Sequence, residues 1–228
     1  MKTFRTQGII LSRTDYGEAA RILTFITPDR GKVTAIAKGV RKPKSKLAGG
    51  IELFSVSDIS FIPGRRDIDT IVSTRLIKHY GHIVKDLDRT NIGYSFIKKL
   101  NKATEDAAES AYFDLLNQAF QAVDDDKIDL ALVEAWFNAQ LLRLAGHTPN
   151  LRTDAGGQKL QPGAKYDFDF EKMCFAAGRG FGADHIKFLR LLFSANQPRV
   201  LNKVAKAPAL AAACQAPVQS MLQAYIRT

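Results

Sequence analysis

The first eighty residues follow a period of two, which is the spacing of side chains along a β-strand. Between residues 22 and 26, Ile22, Thr24 and Ile26 share one face, and Leu23 and Phe25 share the other. Runs rich in β-branched and aromatic residues predict five strands, over residues 8–13, 21–27, 32–38, 51–61 and 67–76. Because five short strands must protect their edges, we expect them to curl into a small closed barrel.

After Tyr80 the period of the apolar positions changes to about 3.6, which is typical of helices. Helices are predicted over residues 83–100, 112–123, 128–145, 184–194 and 208–225. The third is apolar around most of its circumference, so we expect it at the centre of a bundle. Pro217 must kink the last helix or divide it. The fold class is therefore α+β and multidomain: an OB-fold barrel over residues 1–80 and a helical domain over 81–228, with an irregular glycine-rich insert at 150–182.

The loop between the third and fourth predicted strands carries the densest positive charge. Residues 31–50 read GKVTAIAKGVRKPKSKLAGG and contain no acidic residue. Such a loop cannot be buried, because each charge would need a partner. The net charge is +8 over residues 1–66, +2 over 67–100, −7 over 101–140 and +7 over 141–228. This segregation indicates a polyanionic partner, and nucleic acid is the commonest one.

Catalytic and metal-binding patterns are absent from the sequence. It contains no G-x-S-x-G, no Walker-type phosphate loop and no H-E-x-x-H. His79 and His82 are close in sequence but have no third ligand beside them. Cys174 and Cys214 are too few for a disulfide framework, and we interpret both as small side chains that are buried or half-buried. We therefore expect neither an enzyme nor a bound cofactor.

Two further features bear on cellular location and on helix ends. The opening MKTFRTQGIILSRTDYGE has three consecutive large apolar residues, too few for a signal peptide or a membrane span, which predicts a cytoplasmic protein. The acidic residues 124–126 and Asp129 precede the third helix. We interpret them as charges that complement a helix N-terminus rather than as a metal site.

At this point the order of motifs resembles the RecO family of bacterial DNA repair and recombination mediators. That family has a glycine-led first strand, a Tyr/Gly/Glu turn, a Thr-x-x-x-Gly-Lys turn and a KG.RK.KS loop before an aromatic strand. The same order occurs in TQGIILSRTDYGEAARILTFITPDRGKVTAIAKGVRKPKSKLAGGIELF. The stretch LLRLAGHTPNL is similar to the family's LL...G..P.L segment.

The resemblance implies a non-enzymatic protein that binds single- and double-stranded DNA and anneals complementary strands. It also implies help in loading the recombinase onto strands covered by single-strand DNA-binding protein. The implied partners are RecR and the acidic C-terminal tail of single-strand DNA-binding protein, with no membrane contact and a place in the cytoplasm at the nucleoid. The candidate phosphate-binding residues lie at loops and strand ends of the barrel: Arg13, Lys38, Arg41, Lys42, Lys44, Lys46, Arg65 and Arg66.

Base stacking is the second ingredient of recognition by OB folds. The aromatic residues near the basic positions are Tyr16, Phe54 and Phe61. Tyr16 lies in the polar turn Asp15-Tyr16-Gly17 and is expected to be the most exposed of the three. Each of the three, Tyr16 included, is more simply interpreted as a core residue.

One departure from the family concerns zinc. Many RecO proteins carry a four-cysteine zinc module after the Gly-x-x-Pro stretch, and its first pair would fall near Thr153 and Gly156. The second pair would fall near residues 178–185, and none of these positions is a cysteine. Because a closed zinc site needs four ligands, we expect no structural zinc. The insert should instead be held by packing of Phe168, Phe170, Phe175 and Phe181.

An acidic partner peptide would need an apolar pocket rimmed by cations. The candidate rim residues in the basic C-terminal part are Arg143, Arg152, Arg179, Lys187 and Arg190, with Leu142, Leu189 and Phe193 as walls. Two other interpretations stay open. An OB-fold RNA-binding protein would have the same charge pattern, and an enzyme with a small-molecule site in its helical part would need clustered titratable groups.

Overall fold

The computed structural model of the chain describes residues 3–64, 68–104 and 109–226. These residues form two compact units, one within residues 1–124 and the other within 125–228. The barrel and the first two long helices belong to the first unit. The domain boundary expected after residue 80 stays a prediction about which parts of the chain fold independently.

The first unit is built on a five-stranded barrel. Its strands are β1 (Phe4–Tyr16), β2 (Ala20–Thr27), β3 (Gly31–Ala37), β4 (Ser55–Ile62) and β5 (Asp69–His79). They close in the order β1-β2-β3-β5-β4, and the pairing is antiparallel except between β3 and β5. This arrangement confirms the OB-fold barrel that the period of two predicted.

Strand β1 closes the barrel because it pairs with two neighbours in turn. Residues Phe4 to Gly8 pair with β4, and Ile9 to Tyr16 pair with β2. The register shifts between Ile10 and Ser12, and such a bulge bends a strand so that it can serve both partners. The predicted strand over residues 8–13 was too short, since the two ends of β1 are rich in polar residues and lie largely at the surface.

Two helices complete the first unit: α1 (Leu87–Ala103) and α2 (Ser110–Val123). The ring of Phe54 packs edge-on against Tyr94 of α1 at 5.2 Å and against Phe120 of α2 at 5.4 Å. Phe54 has a left-handed backbone conformation (φ +54°), which places it just before β4. The fourth strand therefore begins at Ser55, later than the predicted residue 51.

The second unit contains α3 (Leu130–Leu144), β6 (Asn150–Asp154), β7 (Tyr166–Asp169), β8 (Cys174–Ala177), α4 (Ala183–Ser194) and α5 (Ala207–Tyr225). As expected, α3 is its central helix and packs against both α4 and α5. The buried Trp136 donates its indole N–H to the carbonyl oxygen of Ala195 at 2.8 Å. Pro217 lies buried inside α5, which continues through it, so the helix is not divided there.

The insert at 150–182 is more regular than predicted. It forms a three-stranded sheet in the order β6-β8-β7. Phe175 is its aromatic centre, with ring centroids 5.4 Å from Phe168 and 5.6 Å from Phe181. Phe170 contacts Phe168 but is 48% exposed, so it contributes less to this packing than expected.

Aspartate side chains organise the turns of this small sheet. Asp154 Oδ1 accepts hydrogen bonds from the backbone N–H groups of Gly156 and Gln158, both at 2.9 Å. Asp167 Oδ1 accepts from Arg179 at 3.2 Å and from Gly180 at 2.9 Å. Within the described ranges, no three His, Cys, Asp or Glu side chains are grouped so that they could hold a metal ion. The absence of structural zinc stays a prediction for metal analysis.

Candidate nucleic-acid interface

The segment of residues 38–46, hereafter the basic loop, connects β3 to the turn before β4. Its backbone is attached to the barrel at both ends. The Arg41 N–H donates to the carbonyl oxygen of Ala19 at 3.1 Å, and Leu47, just after the loop, accepts from the Thr74 hydroxyl at 3.0 Å. Val40 is buried in the barrel core and Leu47 packs against it. These apolar anchors fix the loop on the barrel surface.

The lysines of the basic loop point away from the barrel. Lys38, Lys42, Lys44 and Lys46 are all exposed. Among the described residues, none of the four forms an ion pair with a carboxylate. The loop therefore presents a group of uncompensated positive charges on a fixed backbone, and a polyanion is the ligand that such a group attracts.

One carboxylate does lie at the edge of this group. Asp15 accepts a hydrogen bond from Arg21 Nε at 2.7 Å, and its other oxygen lies 3.6 Å from Arg41 Nε. The Arg21 hydrogen bond, together with the charges of Arg41 and Arg13, holds the pKa of the Asp15 carboxyl below its ordinary value. Arg41 is thus partly neutralised within the molecule. Arg13 is exposed on β1, close enough to contribute to this field.

The three candidate aromatic residues differ clearly in solvent exposure. Tyr16 ends β1 beside the basic loop and is 57% exposed, so its ring is available for stacking. Phe61 lies in the barrel core and Phe54 is buried against Tyr94 and Phe120. Only Tyr16 of the three can meet a base without rearrangement of the fold.

Two candidate phosphate-binding residues, Arg65 and Arg66, lie outside the described residues and stay predictions. The described chain resumes at residue 68. Next to it, Asp69 pairs in parallel with Ala35 of β3, three residues before Lys38.

Sequence reasoning missed three arginines of the barrel. Arg21 reaches Asp15 across the β1-β2 hairpin, while Arg5 and Arg75 both bind Asp58 on another face. The pairing of Arg21 with Asp15 could have been found by aligning residues across the Tyr16-Gly17 turn. The other two meet only because β1, β4 and β5 are neighbours, which no local pattern reveals.

In the second unit, the five candidate rim residues for a partner peptide are all exposed. Arg143 donates its Nε–H to Gln140 Oε1 at 2.9 Å, and Arg190 donates its Nε–H to the Leu151 carbonyl oxygen at 2.8 Å. Both guanidinium groups are thus oriented by the protein. The candidate walls Leu142, Leu189 and Phe193 are buried in the bundle, so they line no open pocket in this structure.

His79 and His82 each have a hydrogen-bond partner, and Cys174 and Cys214 are buried. His79 Nδ1 lies 2.8 Å from Ser55 Oγ, whereas His82 Nδ1 lies 3.0 Å from the Asp124 carbonyl oxygen. Both cysteines are buried, and burial raises the pKa of the Cys214 thiol to about 12. Neither thiol has the character of a nucleophile.

Of the acidic residues before α3, Asp129 acts at the helix N-terminus as predicted, whereas Asp125 binds groups outside the helix. Asp129 caps the helix by accepting the Ala131 N–H at 2.8 Å. Asp125 accepts from the Lys127 N–H at 3.0 Å and forms an ion pair with Arg199 at 2.6 Å.

The fold thus belongs to a class in which an OB barrel with a basic loop is followed by a helical unit with a small three-stranded sheet. A family model described as Recombination protein O N terminal matches residues 1–80, and one described as Recombination protein O C terminal matches residues 84–227. The chain belongs to the RecO family of DNA repair proteins.

Individual relatives agree with this assignment. The DNA repair protein RecO of Dehalococcoides mccartyi is 34% identical over 165 residues, which cover 72% of this chain and 64% of the relative. RecO of Rubrobacter xylanophilus is 31% identical, and the match covers 73% of this chain and 67% of the relative. RecO of Moorella thermoacetica is 32% identical, and the match covers 67% of this chain and 56% of the relative. The matched stretch thus spans about two thirds or less of these proteins.

In the part of the chain that the structure describes, no helix is long and apolar enough to cross a bilayer.

Proposed function

We propose that this protein is a recombination mediator that binds single- and double-stranded DNA, anneals complementary strands and helps load a recombinase onto strands covered by single-strand DNA-binding protein. It would act in the cytoplasm at the nucleoid, as a binding protein rather than an enzyme. The observation that carries the proposal is the basic loop, whose exposed lysines have no carboxylate partner among the described residues while its backbone is anchored to the barrel.

The arrangement of charge suits annealing. Two strands repel each other through their phosphates, and lysines can neutralise both backbones without holding the bases. Tyr16 adds one exposed ring beside the loop, and stacking on an aromatic side chain tolerates any base. Binding should therefore depend strongly on salt and weakly on sequence.

The central experiment removes charge without removing an anchor. Arg41 is left intact because it attaches the loop to Ala19 and Asp15. We expect the Lys42→Ala, Lys44→Ala and Lys46→Ala triple variant to anneal complementary oligonucleotides more slowly. The slope of log affinity against log salt for single strands should become shallower by about 2, from about 0.7 for each lost contact.

A matched control has three alanines at Lys85, Lys98 and Lys102, which are exposed residues in or next to α1. It makes the same change of net charge and should leave the slope nearly unchanged. Equal slopes in the wild type and the loop variant would contradict the proposal. Tighter binding of RNA than of matched DNA would favour the RNA-binding alternative, because only contacts to the 2′-hydroxyl prefer RNA.

We also propose two protein partners, RecR and the acidic tail of single-strand DNA-binding protein. The tail peptide would contact Arg143 and Arg190, whose Nε–H groups are already engaged, so that the outer edges of both guanidinium groups remain for a carboxylate. Arg152, Arg179 and Lys187 would extend the positive rim. Because the candidate walls are buried, carboxylates rather than apolar side chains should dominate the contact.

A labelled tail peptide tests this site. Arg143→Gln with Arg190→Gln should weaken its binding about a hundredfold, from about tenfold for each lost charge-assisted hydrogen bond of about 1.5 kcal/mol. A control with Lys159→Gln and Lys172→Gln makes the same charge change elsewhere in the second unit. Unchanged affinity in the arginine variant would remove these residues from the site.

A further inference from the structure

Two arginines of the barrel meet at one carboxylate on a surface that the basic loop does not occupy. Arg5 on β1 and Arg75 on β5 lie on either side of β4, which carries Asp58. Both donate through Nη2 to the same oxygen, Asp58 Oδ2, with the Arg75 bond measuring 2.7 Å. The two guanidinium groups are thereby held next to each other.

The charges of this cluster do not balance. Two positive charges share one carboxylate, whose pKa is held low by hydrogen bonds from Arg75 and from Arg5, so it stays ionised at neutral pH. The Arg5 and Arg75 side chains are 60% and 72% exposed. Each guanidinium has five N–H donors, and Asp58 takes one from each. Most of the donors therefore face solvent, beside one uncompensated positive charge.

The surroundings suit an oxyanion. A shallow depression of about 320 Å³ is lined by Arg5, Asp58, Ser60, Ser73, Thr74 and Arg75. Ser60 and Ser73 lie opposite each other in the register of β4 and β5, so their hydroxyls are neighbours. Arginine forks and hydroxyls together match the several oxygens of a phosphate group. Because none of the described residues that line the depression is aromatic, they offer nothing for a base to stack on.

Strand β5 contributes residues to the depression and also contacts Leu47, the residue that follows the basic loop. Thr74 pairs with the core residue Ile59 and donates its hydroxyl to Leu47 beside the basic loop. Arg75 pairs with Asp58 and so points to the opposite face, because successive side chains of a strand alternate. The described residues that line the depression include none of the basic loop, so a phosphate bound at Arg75 and one bound at the basic loop would contact different residues.

We propose that Arg5 and Arg75 form a second phosphate-binding site, which takes the backbone of a second DNA strand while the basic loop holds the first. Asp58 keeps the two guanidinium groups together and at the same time lowers their attraction for the strand. The inference rests on the proposed function and adds a second site to it. It also gives a physical reason for two strands to be brought to one molecule.

The two kinds of substitution at this site should act in opposite directions. Arg5→Gln with Arg75→Gln removes the attraction, whereas Asp58→Asn removes the competing negative charge and keeps a side-chain oxygen as acceptor. Both variants break the ion pairs, so a purely structural role would weaken DNA binding in both or in neither. Opposite changes that exceed the effect of the same change of net charge elsewhere on the chain are expected if phosphate binds here.

The test measures capture of a second strand. A biotinylated oligothymidylate is saturated with protein, and a labelled oligothymidylate, which cannot pair with it, is then added at several salt concentrations. We expect the wild type to retain the label and Asp58→Asn to retain more. Arg5→Gln with Arg75→Gln should lose retention, with the salt slope of capture shallower by about 1.4 for two lost contacts. Lys85→Gln with Lys98→Gln is the matched control, and thermal unfolding verifies that each variant is folded.

The outcomes separate this inference from the proposed function. If the wild type binds no strand at all, the proposed function fails. If the wild type captures both strands and Arg5→Gln with Arg75→Gln captures them equally well, the second site is refuted while the function stands. If the arginine variant weakens the first strand as much as the second, the two sites belong to one continuous track, which also overturns the inference.

Discussion

Asp15 lies between two arginines, with Arg21 Nε at 2.7 Å and Arg41 Nε at 3.6 Å, and so it partly neutralises the positive surface of the first unit. The carboxylate has two opposing effects. It orients Arg41, whose backbone supports the basic loop, and it repels any phosphate that approaches the loop. If repulsion is the larger effect, removing the charge of Asp15 strengthens DNA binding. If orientation of Arg41 is the larger effect, removing the charge weakens DNA binding.

We expect Asp15→Asn to raise the affinity for single-stranded DNA. Asparagine keeps an oxygen that can accept from Arg21, and the loop remains attached through the Arg41 backbone N–H, so little order should be lost. One more cation is then free to pair with a phosphate, and the salt slope should steepen by about 0.7. Because the pKa of Asp15 is lowered from 3.8, the difference between variant and wild type should be constant across neutral pH.

Asp114→Asn on the exposed face of α2 is the control for this measurement, since it makes the same change of net charge away from the loop. Fluorescence anisotropy of a labelled oligonucleotide at several salt concentrations gives both affinity and slope. Weaker binding by Asp15→Asn would mean that orientation of Arg41 outweighs repulsion of the phosphate. Asp15 would then support DNA binding by positioning Arg41.

Tyr16→Ala should weaken binding of single-stranded DNA by about 1–3 kcal/mol, the usual worth of one base stacked on an aromatic side chain. The ring is exposed at the end of β1, so the thermal unfolding midpoint should hardly change. Tyr16→Phe keeps the ring and should bind like the wild type. Equal affinities for all three proteins would show that phosphate contacts alone hold the strand.

Gly93→Ala should destabilise the first unit. A Cβ at this position would lie 2.6 Å from the Phe54 ring, which is itself held by Tyr94 and Phe120. Alanine normally favours a helix over glycine by about 1 kcal/mol, but overpacking costs about 1–3 kcal/mol, so the net loss should be about 1 kcal/mol. Urea unfolding measures it, with Asn91→Ala on the exposed side of α1 as the control. A stabilised variant would contradict this packing.

Much of the fold could be predicted because the signals are local. The β-branched run from Arg21 to Thr27 became β2 with only its first residue missed, and the apolar circumference of α3 identified the central helix of the second unit. The ends of β1 were missed because Arg5, Gln7 and Asp15 are polar residues at the surface, where alternation carries no hydrophobic signal.

The charged sites were predictable only in part, for a related reason. Lys42 and Lys44 predict an exposed loop from composition alone, because no acidic residue nearby in the sequence could neutralise them. The contact of Arg41 with Ala19 depends on which strands are neighbours and in what register they pair. The same holds for the meeting of Arg5 and Arg75 at Asp58. The three-stranded sheet at 150–182 was missed because strands of four or five residues are too short to show a period.

Backbone hydrogen bonds to aspartate carboxylates hold the turns of the small sheet at 150–182. Asp167 accepts hydrogen bonds from the backbone N–H groups of Arg179 and Gly180. Gly178 and Gly180 lie so close to Asp167 that a Cβ on either glycine would collide with it. Asp167→Ala should therefore cost about 1–3 kcal/mol and expose the 150–182 segment to limited proteolysis, while Asp167→Asn, which keeps the acceptor, should resemble the wild type. Chelators should leave the thermal unfolding of the wild type unchanged. Stoichiometric zinc in the purified protein, or unfolding that is sensitive to chelators, would show that a metal rather than these carboxylates secures the sheet.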